Sequence, residues 1–483
     1  MTETRDETLT PLADAPAPGS NRAADLLEDL LLRAGQPGAD GLVEFVGADP
    51  VLPTPFPMAE FGAAAIGAAA LQAARLHRER TGLEQTVRVP LDASAAAMRA
   101  WRYLHDVPRR PEAGGAPPVA FYRTGDGRWL FLHRLAAHHL ERALAVLGTG
   151  EDEDEIVRAI GRRDAAELEE AIMAAGGCAA AVRDREEWAA HPQAAAIAGM
   201  PLFRITKIGE SEPVPVGDGL RPLGGLRVLD LTRVLAGPTA ARTLAEQGAD
   251  VLRIGSPRYP DTFRMVQDTG HGKRSTVLDL RDGGDLEALR GLLAGADVFS
   301  QGYRPGAIAS FGLAPAELAE LRPGIVSLSI SAFGAAGPWA GRRGFDSVVQ
   351  AASGVAAEMG EFLGGESPRS LPGNPLDYTS GYLAAFLVQV ALERRAREGG
   401  SYHIELSLAQ TGRYLDELPR VDGFAAAKRP PELPAERLDE LMTTRETPYG
   451  ALRHLQPVAE LSGTPAHWER PTAPLDHDGP TWG

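Results

Sequence analysis

The stretch Gly225–Pro257, GLRVLDLTRVLAGPTAARTLAEQGADVLRIGSP, predicts one strand–helix–strand unit around which the chain is organised. Leu226–Leu231 is a short apolar run, which is typical of a strand buried on both faces. Ala240–Gln247 can form a short helix, since a proline suited to the first turn precedes it and a glycine ends it. Val251–Ile254 predicts the second strand. Two strands and a helix within about 30 residues indicate a βαβ unit, so we predict an α/β fold with a Rossmann-like parallel sheet.

The turn after the first strand does not match a dinucleotide site. It reads TRVLAGP rather than GxGxxG, so it lacks the glycines that let the backbone approach a pyrophosphate closely. Gly255 and Ser256 follow the second strand, where such sites carry an acidic residue. No histidine pair stands at metal-ligand spacing with carboxylates, and the acidic run Glu151–Glu155 reads as a solvated helix start. The sequence therefore predicts no bound metal.

Composition restricts the classes of partner and the compartment. The chain has 483 residues, enough for two or three domains. A net charge of −16 argues against a nucleic-acid or anionic-membrane partner. The only cysteine, Cys178, cannot form an intramolecular disulfide, which favours a cytoplasmic protein. The polar N-terminus lacks the apolar core of a signal peptide, and the most membrane-like run, Phe61–Ala74, is too short to span a bilayer.

A pass along the chain predicts five segments, one of them a copy of another. RTGLEQTVRVPL (80–91) and REGGSYHIELSL (397–408) share a pattern, and each follows an alanine-rich helix. Glu60 and Asp377 stand at the same offset, and a chance similarity between two such helices is the alternative. The predicted segments are a disordered tail (1–40), a degenerate copy of a large-domain helix and strand (41–110), a small α+β domain (118–215), a Rossmann-like large domain (220–410), and a closing segment with a tail (411–483).

Several motifs of the second half, in order, resemble the family III CoA-transferases. They are DLTRVLAGP, GADVLRI, GKRSTVLDLR, RPGAIASFGL and SISAFGAAGPWAGRRGFDSVVQAASG, between about Leu226 and Leu408. This family includes formyl-CoA, carnitine-CoA and bile-acid-CoA transferases as well as α-methylacyl-CoA racemases. The resemblance implies transfer of CoA between an acyl-CoA and a carboxylic acid, with acyl-CoA or coenzyme A as substrate and no permanently bound cofactor. It also implies an interlocked homodimer.

The resemblance assigns Asp377 as the nucleophile. On residue type and position alone, an aspartate at the start of a helix reads as an N-cap. The family's nucleophilic aspartate lies in a D-x-x-x-G segment before the same alanine-rich helix, and Asp377–Gly381 matches that segment. A carboxylate can attack a thioester to give an anhydride and then an aspartyl-CoA thioester. In the degenerate copy Glu60 stands in this place, and its longer side chain leads us to interpret it as structural.

The resemblance also implies a set of coenzyme A contacts. Without it, the loop TRVLAGP reads as an ordinary tight turn, GKRS as a solvated surface turn and Arg343 as a surface residue. Gly302 replaces the asparagine of the family's N-[FY]-x-P-G turn, which removes one polar group. The matching positions are Arg233, Leu235, Ala236, Lys273, Arg274, Leu278, Arg281, Tyr303, Arg304 and Arg343.

Two other functions stay open at this point. The racemases of the family resemble the GFD segment with a histidine in place of Phe345, and phenylalanine cannot move a proton, so a racemase or isomerase is disfavoured. The transferases often carry a mobile glycine-rich loop in the small domain, and no equivalent occurs between 118 and 215. That difference, together with the partial copy, leaves a non-catalytic acyl-CoA-binding homologue as the alternative.

Overall fold

The predicted strand–helix–strand unit is present in the computed structural model, with strands at Arg227–Leu231 and Asp250–Gly255 around a helix at Ala236–Glu246. The structure describes residues 22–109, 120–217, 219–258 and 263–482. The predicted tail therefore lies outside the described residues as far as position 21. Residues 104–117 are rich in Pro and Gly, which predicts a linker, and most of them also lie outside the described residues.

The strands are β1 Val43–Val46, β2 Val87–Pro90, β3 His105–Asp106, β4 Ala120–Arg123, β5 Trp129–Leu132, β6 Ala179–Ala181, β7 Phe203–Gly209, β8 Arg227–Leu231, β9 Asp250–Gly255, β10 Lys273–Val277, β11 Val298–Gln301, β12 Val326–Ser331, β13 Ser401–Ser407, β14 Met442–Thr447, β15 Gly450–Leu455 and β16 Glu460–Leu461.

The helices are α1 Arg22–Arg33, α2 Met58–Thr81, α3 Leu91–Ala97, α4 Ala100–Tyr103, α5 Ala137–Leu147, α6 Glu153–Ile160, α7 Ala165–Ala174, α8 Arg185–Ala189, α9 Pro192–Ala198, α10 Ala236–Glu246, α11 Phe263–Thr269, α12 Gly283–Leu293, α13 Pro315–Leu321, α14 Asp346–Ala352, α15 Val355–Phe362, α16 Pro375–Glu398, α17 Leu408–Glu417, α18 Gly423–Ala427 and α19 Ala435–Leu441.

The large domain is built on a seven-stranded sheet of order β10-β9-β8-β11-β12-β13-β7. Its first six strands are parallel, and the chain visits them in the doubly wound order 3-2-1-4-5-6. This confirms the α/β, Rossmann-like prediction. The order reverses between β8 and β11, and the loops that follow such neighbouring strands diverge to leave a crevice at the carboxyl edge of the sheet.

The two long helices, α2 and α16, correspond to each other in length and spacing. α2 and α16 are each 24 residues long, both of their bounds differ by 317 residues, and Glu60 and Asp377 are each the third residue of their helix. A strand and a helix follow each of them, β2 and α3 in the first half and β13 and α17 in the second. The two long helices pack against one another, and Gln389 Nε2 donates to the carbonyl of Ala69 at 3.1 Å.

The two halves exchange strands. β7, from the first half, pairs antiparallel with β13 at the edge of the large sheet. β16, from the end of the chain, pairs antiparallel with β2, which itself lies parallel to β1. The predicted small domain contributes the sheet β4-β5-β6 with helices α5–α9, while β7 leaves it to join the large sheet. Each half therefore completes a sheet that begins in the other.

Both ends of the described chain are part of the folded structure. Within the segment predicted as a tail, α1 packs on α2 and buries the four leucines 26, 27, 30 and 31. The segment 411–483, predicted as a closing piece and tail, forms the β14–β15 hairpin, which pairs with β3. The N-terminal segment was predicted to be disordered from its polar composition, but the leucines of α1 recur at helical spacing and form an apolar face that packs on α2. Neither the 24-residue helices nor any other described helix combines the length and apolarity needed to cross a bilayer.

Candidate active site

A cavity of about 950 Å³ opens at the carboxyl edge of the large sheet, where the strand order reverses. Its floor comes from the loops after β8 and β11, at Thr232–Gly237 and Gly302–Ile308. Its opposite wall comes from the small domain of the first half, at His133–Arg142. The site is thus built by both halves of the chain.

Asp377 lines this cavity from the first turn of α16. Asn374 is the N-cap of the helix, so Asp377 is not the cap that its residue type also allowed. Its side chain is 5% exposed, and burial together with the neighbouring Asp346 raises its pKa well above the usual range. The positive end of the α16 dipole favours the carboxylate form and opposes part of this shift.

The glycine of the D-x-x-x-G segment has a steric role. A side chain at Gly381 would place its Cβ 2.6 Å from the carbonyl oxygen of Ala236 and from Thr239. The first turn of α10 therefore crosses α16 one turn beyond Asp377, at a distance that only glycine allows. Ala64 occupies the corresponding place in the first half, so the same close approach is not available there.

Asp346, which the sequence analysis did not single out, positions Asp377. Its Oδ2 accepts a hydrogen bond of 3.0 Å from the Asp377 backbone N–H, and its Oδ1 accepts from Gln350. Asp346 is 1% exposed, and burial raises its pKa above the usual range. The sequence shows an aspartate in GFDSVV, but it does not show that this aspartate lies against a residue 31 positions later.

A similar pair of carboxylates, Glu60 and Asp49, occurs in the first half. There the glutamate is paired with an arginine. The Glu60 backbone N–H donates to Asp49 Oδ2 at 2.9 Å, and Arg22 Nη1 lies 3.1 Å from Glu60 Oε2. Burial raises the pKa of Glu60 to about 7, with Asp49 adding to the shift. Glu60 does not line the large cavity. Its carboxylate is held in an ion pair with Arg22, and a structural role for it stays a prediction.

Most of the predicted coenzyme A contacts come together in the cavity lining. Arg233 stands in the loop after β8, Ala236 is the first residue of α10, and Arg281 stands after β10. Val234 in the first of these loops has φ 70°, a strained conformation for a β-branched residue and one that clusters at functional sites. The predicted residues that line the cavity are Arg233, Ala236, Leu278, Arg281, Tyr303, Arg304 and Arg343.

The cavity lining does not include Lys273, Arg274 or Leu235, which the resemblance had placed among the contacts. Lys273 and Arg274 lie in β10 rather than in a surface turn. Lys273 Nζ is 2.8 Å from Asp230 Oδ2 and donates to the Pro238 carbonyl at 2.8 Å, whereas Arg274 pairs with Asp250 at 2.6 Å. Leu235 is fully buried in the core. Lys273 and Arg274 therefore contact carboxylates on other strands of the sheet, and Lys273 also contacts the first turn of α10.

Two histidines from the small domain line the same cavity and contact Phe345. The ring of His133 stacks on Phe345 at 3.8 Å between centroids, and His139 meets the same ring edge-on at 5.8 Å. Burial lowers the pKa of both imidazoles to about 3, so they are neutral. Sequence reasoning missed them because they belong to the other half of the chain and stand in no recognisable pair.

The charge of the lining is strongly positive. Seven arginines face the cavity, at positions 142, 233, 258, 281, 304, 342 and 343, and the carboxylates among the described lining residues are Asp279 and Asp377. Arg258 pairs with Asp279 at 2.8 Å. No group of three or more His, Cys, Asp or Glu side chains within 22–109, 120–217, 219–258 and 263–482 could hold a metal ion. The site can therefore bind an extended anion and present one buried carboxylate to it.

The proteins that this chain is similar to include curated CoA-transferases. An acyl-CoA transferase of Gibberella moniliformis is 33% identical over 314 residues, covering 60% of this chain and 55% of the relative. A succinate–glutarate CoA-transferase of Agrobacterium fabrum is 33% identical over 205 residues, covering 39% and 51%. Most of the curated relatives are matched over about half of their own length.

Solved structures include a CaiB/BaiF family protein of Brucella suis, 27% identical, with a TM-score of 0.36 over 48% of this chain and 65% of that one. The family model for CoA-transferase family III matches two segments of the chain, residues 38–214 and 223–432. The first match includes α2 and β7, and the second includes α16 and β13, whereas β16 lies beyond both. The chain belongs to CoA-transferase family III.

Proposed function

We propose that the protein transfers coenzyme A from an acyl-CoA to a carboxylic acid, with Asp377 as the covalent nucleophile. One observation carries the proposal: a buried carboxylate, Asp377, lines a cavity of about 950 Å³ whose lining also contains seven arginines. The phosphates of coenzyme A are recognised by such guanidinium groups. A carboxylate beside a bound thioester suits acyl exchange between nucleophiles.

In the proposed first step, an Asp377 oxygen attacks the thioester carbonyl carbon, the carbon–sulfur bond breaks, and CoA leaves as its thiolate. The product is an acyl–aspartyl anhydride. Ala236 and Gly237 line the cavity in the first turn of α10, where helical N–H groups lack intrahelical partners. These N–H groups are our candidates for holding the negative oxygen that forms during the attack.

In the second step, the thiolate attacks the aspartyl carbonyl carbon of the anhydride. The first acid leaves as its carboxylate, and an aspartyl-CoA thioester remains. A second carboxylate then attacks this thioester, and the same two steps in reverse order release the new acyl-CoA and restore Asp377. Every bond that forms replaces one that breaks, so no oxidant, reductant or metal enters the balance.

Mass spectrometry of the protein incubated with a panel of acyl-CoAs tests this proposal. The expected result is a covalent adduct that maps to the peptide containing Asp377. Acyl-CoA binding without an adduct and without label exchange into free acid would favour a non-catalytic binding protein instead. Uptake of solvent deuterium at the α-carbon would favour a racemase or isomerase.

The pH dependence of adduct formation should reveal the pair of aspartates. The negative charge of Asp346 contributes to the raised pKa of Asp377, so Asp346→Asn should lower that pKa. Because the attacking species is the carboxylate, the rise of the adduct rate with pH should then move to lower pH. The measurement is the single-turnover rate across pH 4–9 in both proteins. An unchanged midpoint would mean that the charge of Asp346 does not influence the pKa of Asp377.

Arg281 should contribute to coenzyme A binding. Arg281→Ala removes one charge-assisted contact, so the affinity for coenzyme A should fall by about 1–3 kcal/mol in calorimetric titration. Arg158→Ala is the control, since Arg158 is an exposed residue of α6 that does not line the cavity. Equal affinities in the two variants would remove Arg281 from the binding site.

Location and assembly complete the proposal. The single cysteine, Cys178, is buried and free, which supports a cytoplasmic protein. The homodimer implied by the resemblance stays a prediction, and sedimentation of the intact chain tests it. The strand exchange between the two halves supports a full site within one chain, because the walls of the cavity come from both halves of the same polypeptide.

A further inference from the structure

A second cavity, of about 200 Å³, adjoins the main cavity that Asp377 lines. It lies between strands β11, β12 and β13 of the large sheet and the segment that leads from β11 into α13. Neither Asp377 nor any of the seven arginines of the main cavity is among its described lining residues. The two cavities share five lining residues, which follow β11 or end β12: Tyr303, Pro305, Ile308, Ile330 and Ser331. The second cavity is therefore a separate space that borders the main one.

Polar side chains line the sheet side of the second cavity. Gln301, Ser329 and Glu405 are direct neighbours across β11, β12 and β13, so they project from one face of the sheet. Ser327 and His403 form another cross-strand pair on that face, two residues earlier on the same strands. Buried polar groups of this kind need hydrogen-bond partners. The sheet side can therefore bind the polar edge of a ligand.

The opposite side of the second cavity is apolar. Ile308 and Leu313 come from the segment after β11, Leu318 comes from α13, and all three side chains are buried. Phe299 of β11 adds a fully buried aromatic ring to the lining. A ligand that fills this space is therefore polar along one edge and apolar over the rest of its surface.

His403 and Ser329 each keep one hydrogen-bonding group for a ligand. The ring of His403 is hydrogen-bonded at Nδ1, 2.8 Å from Ser327 Oγ, and its Nε2 makes no hydrogen bond within the described residues. Burial lowers the pKa of His403, so the imidazole is neutral at pH 7. Ser329 Oγ accepts from Gln301 Nε2 at 2.7 Å, which leaves its O–H able to donate. A carboxamide, which both donates and accepts, can pair with both side chains.

The charged side chains at the second cavity pair with each other. Arg204 Nη1 lies 4.0 Å from Glu405 Oε2, and the two residues are neighbours across β7 and β13. Their side chains are 53% and 37% exposed, so the cavity reaches solvent beside them. With this pair and a neutral imidazole, the described lining carries no net charge. A neutral ligand is therefore favoured over an anion, in contrast to the main cavity with its seven arginines.

We propose that the second cavity is an effector site for a neutral, planar aromatic carboxamide. An apolar cavity of about 150 Å³ can hold benzene, so this larger one accommodates a ring with an amide group. The amide would face His403 and Ser329, and the ring would contact Leu313. Tyr303 and Pro305 line both cavities, so a ligand in the second cavity contacts the loop that lines the first. Its effect on coenzyme A rests on the proposed function, whereas its binding does not.

Calorimetric titration with benzamide tests the site itself. Benzamide should bind the parent protein once per chain, and benzoate, of the same shape but charged, should displace it at least about tenfold less well. His403→Phe should weaken benzamide binding about two- to tenfold, as expected for one lost hydrogen bond. Ala314→Phe should abolish binding by filling the cavity. Ala316→Phe is the matched control, because Ala316 is an exposed residue of α13 that lines neither cavity.

The coupling between the two cavities has its own measurement. Saturating benzamide should change the Kd for coenzyme A about fivefold or more in the parent and in Ala316→Phe, and leave it unchanged in Ala314→Phe.

Three results would overturn the inference. Benzamide binding that is absent from the parent, or equal in Ala314→Phe, would remove the site. Displacement by benzoate as effective as that by benzamide would remove the neutral ligand class. A Kd for coenzyme A that benzamide leaves unchanged in the parent, or still changes in Ala314→Phe, would remove the effector role. Benzamide binding by a protein that does not bind coenzyme A would support the site and contradict the proposed transferase function instead.

Discussion

Asp377→Asn should abolish both the covalent adduct and acyl-CoA turnover while coenzyme A still binds. The amide keeps the shape of the side chain and cannot act as the nucleophile, and covalent capture requires the attacking oxygen within about 3–3.5 Å of the thioester carbon. Removal of a nucleophile has cost on the order of 10⁶ in kcat in a well-studied protease, so turnover should fall below detection. Intact-mass analysis and calorimetric titration with coenzyme A measure the two results.

Glu60→Gln is the matched control, because Glu60 holds the equivalent third position of α2 and already pairs with Arg22. Its turnover should stay within a few-fold of the parent. Full transferase activity in Asp377→Asn, or loss of activity in Glu60→Gln, would mean that the active half has been assigned incorrectly.

Lys273→Met should strongly destabilise the fold. Lys273 is 2% exposed, and its ammonium group is paired with Asp230, which is fully buried. Removing one member of a buried ion pair leaves the other charge without compensation, which costs about 3–5 kcal/mol. The free energy of unfolding from a urea titration measures this loss.

Two further variants separate this explanation from loss of a coenzyme A contact. Lys428→Met, at an exposed position, should change the unfolding free energy little. Asp230→Asn combined with Lys273→Met removes both charges and should recover part of the loss. If Lys273→Met lowers coenzyme A affinity with no effect on unfolding, Lys273 is a ligand contact and not a structural brace.

Much of the architecture could be predicted from local patterns. The apolar runs of β8 and β9 and the turn between them predicted the βαβ unit, and the offset between Glu60 and Asp377 predicted two long helices that prove equal in length. Placement of Asp377 in a cavity rested on the resemblance, because an aspartate near a helix start also fits a cap. These features are encoded within short stretches of sequence, which is why they could be predicted.

Contacts across strands and between halves could not be predicted in this way. GKRS reads as a surface turn, but Lys273 and Arg274 lie in β10. There they pair with carboxylates on other strands of the same sheet, Asp230 and Asp250. Tertiary packing brings Asp346 to the backbone of Asp377 and His133 to the ring of Phe345. A single sequence carries no signal for such partners, since their separation along the chain is set by the topology.

The exchange of β7 and β16 has a consequence for how the two halves can change. In a two-fold homodimer each substitution enters both sites at once, because both subunits are copies of one chain. Here the halves are covalently linked, so their association is intramolecular and dilution does not separate them. A substitution at Arg22 or Glu60 leaves Asp377 and its surroundings unaltered in composition. Linkage on one polypeptide thus allows one half to diverge while the other keeps its chemistry.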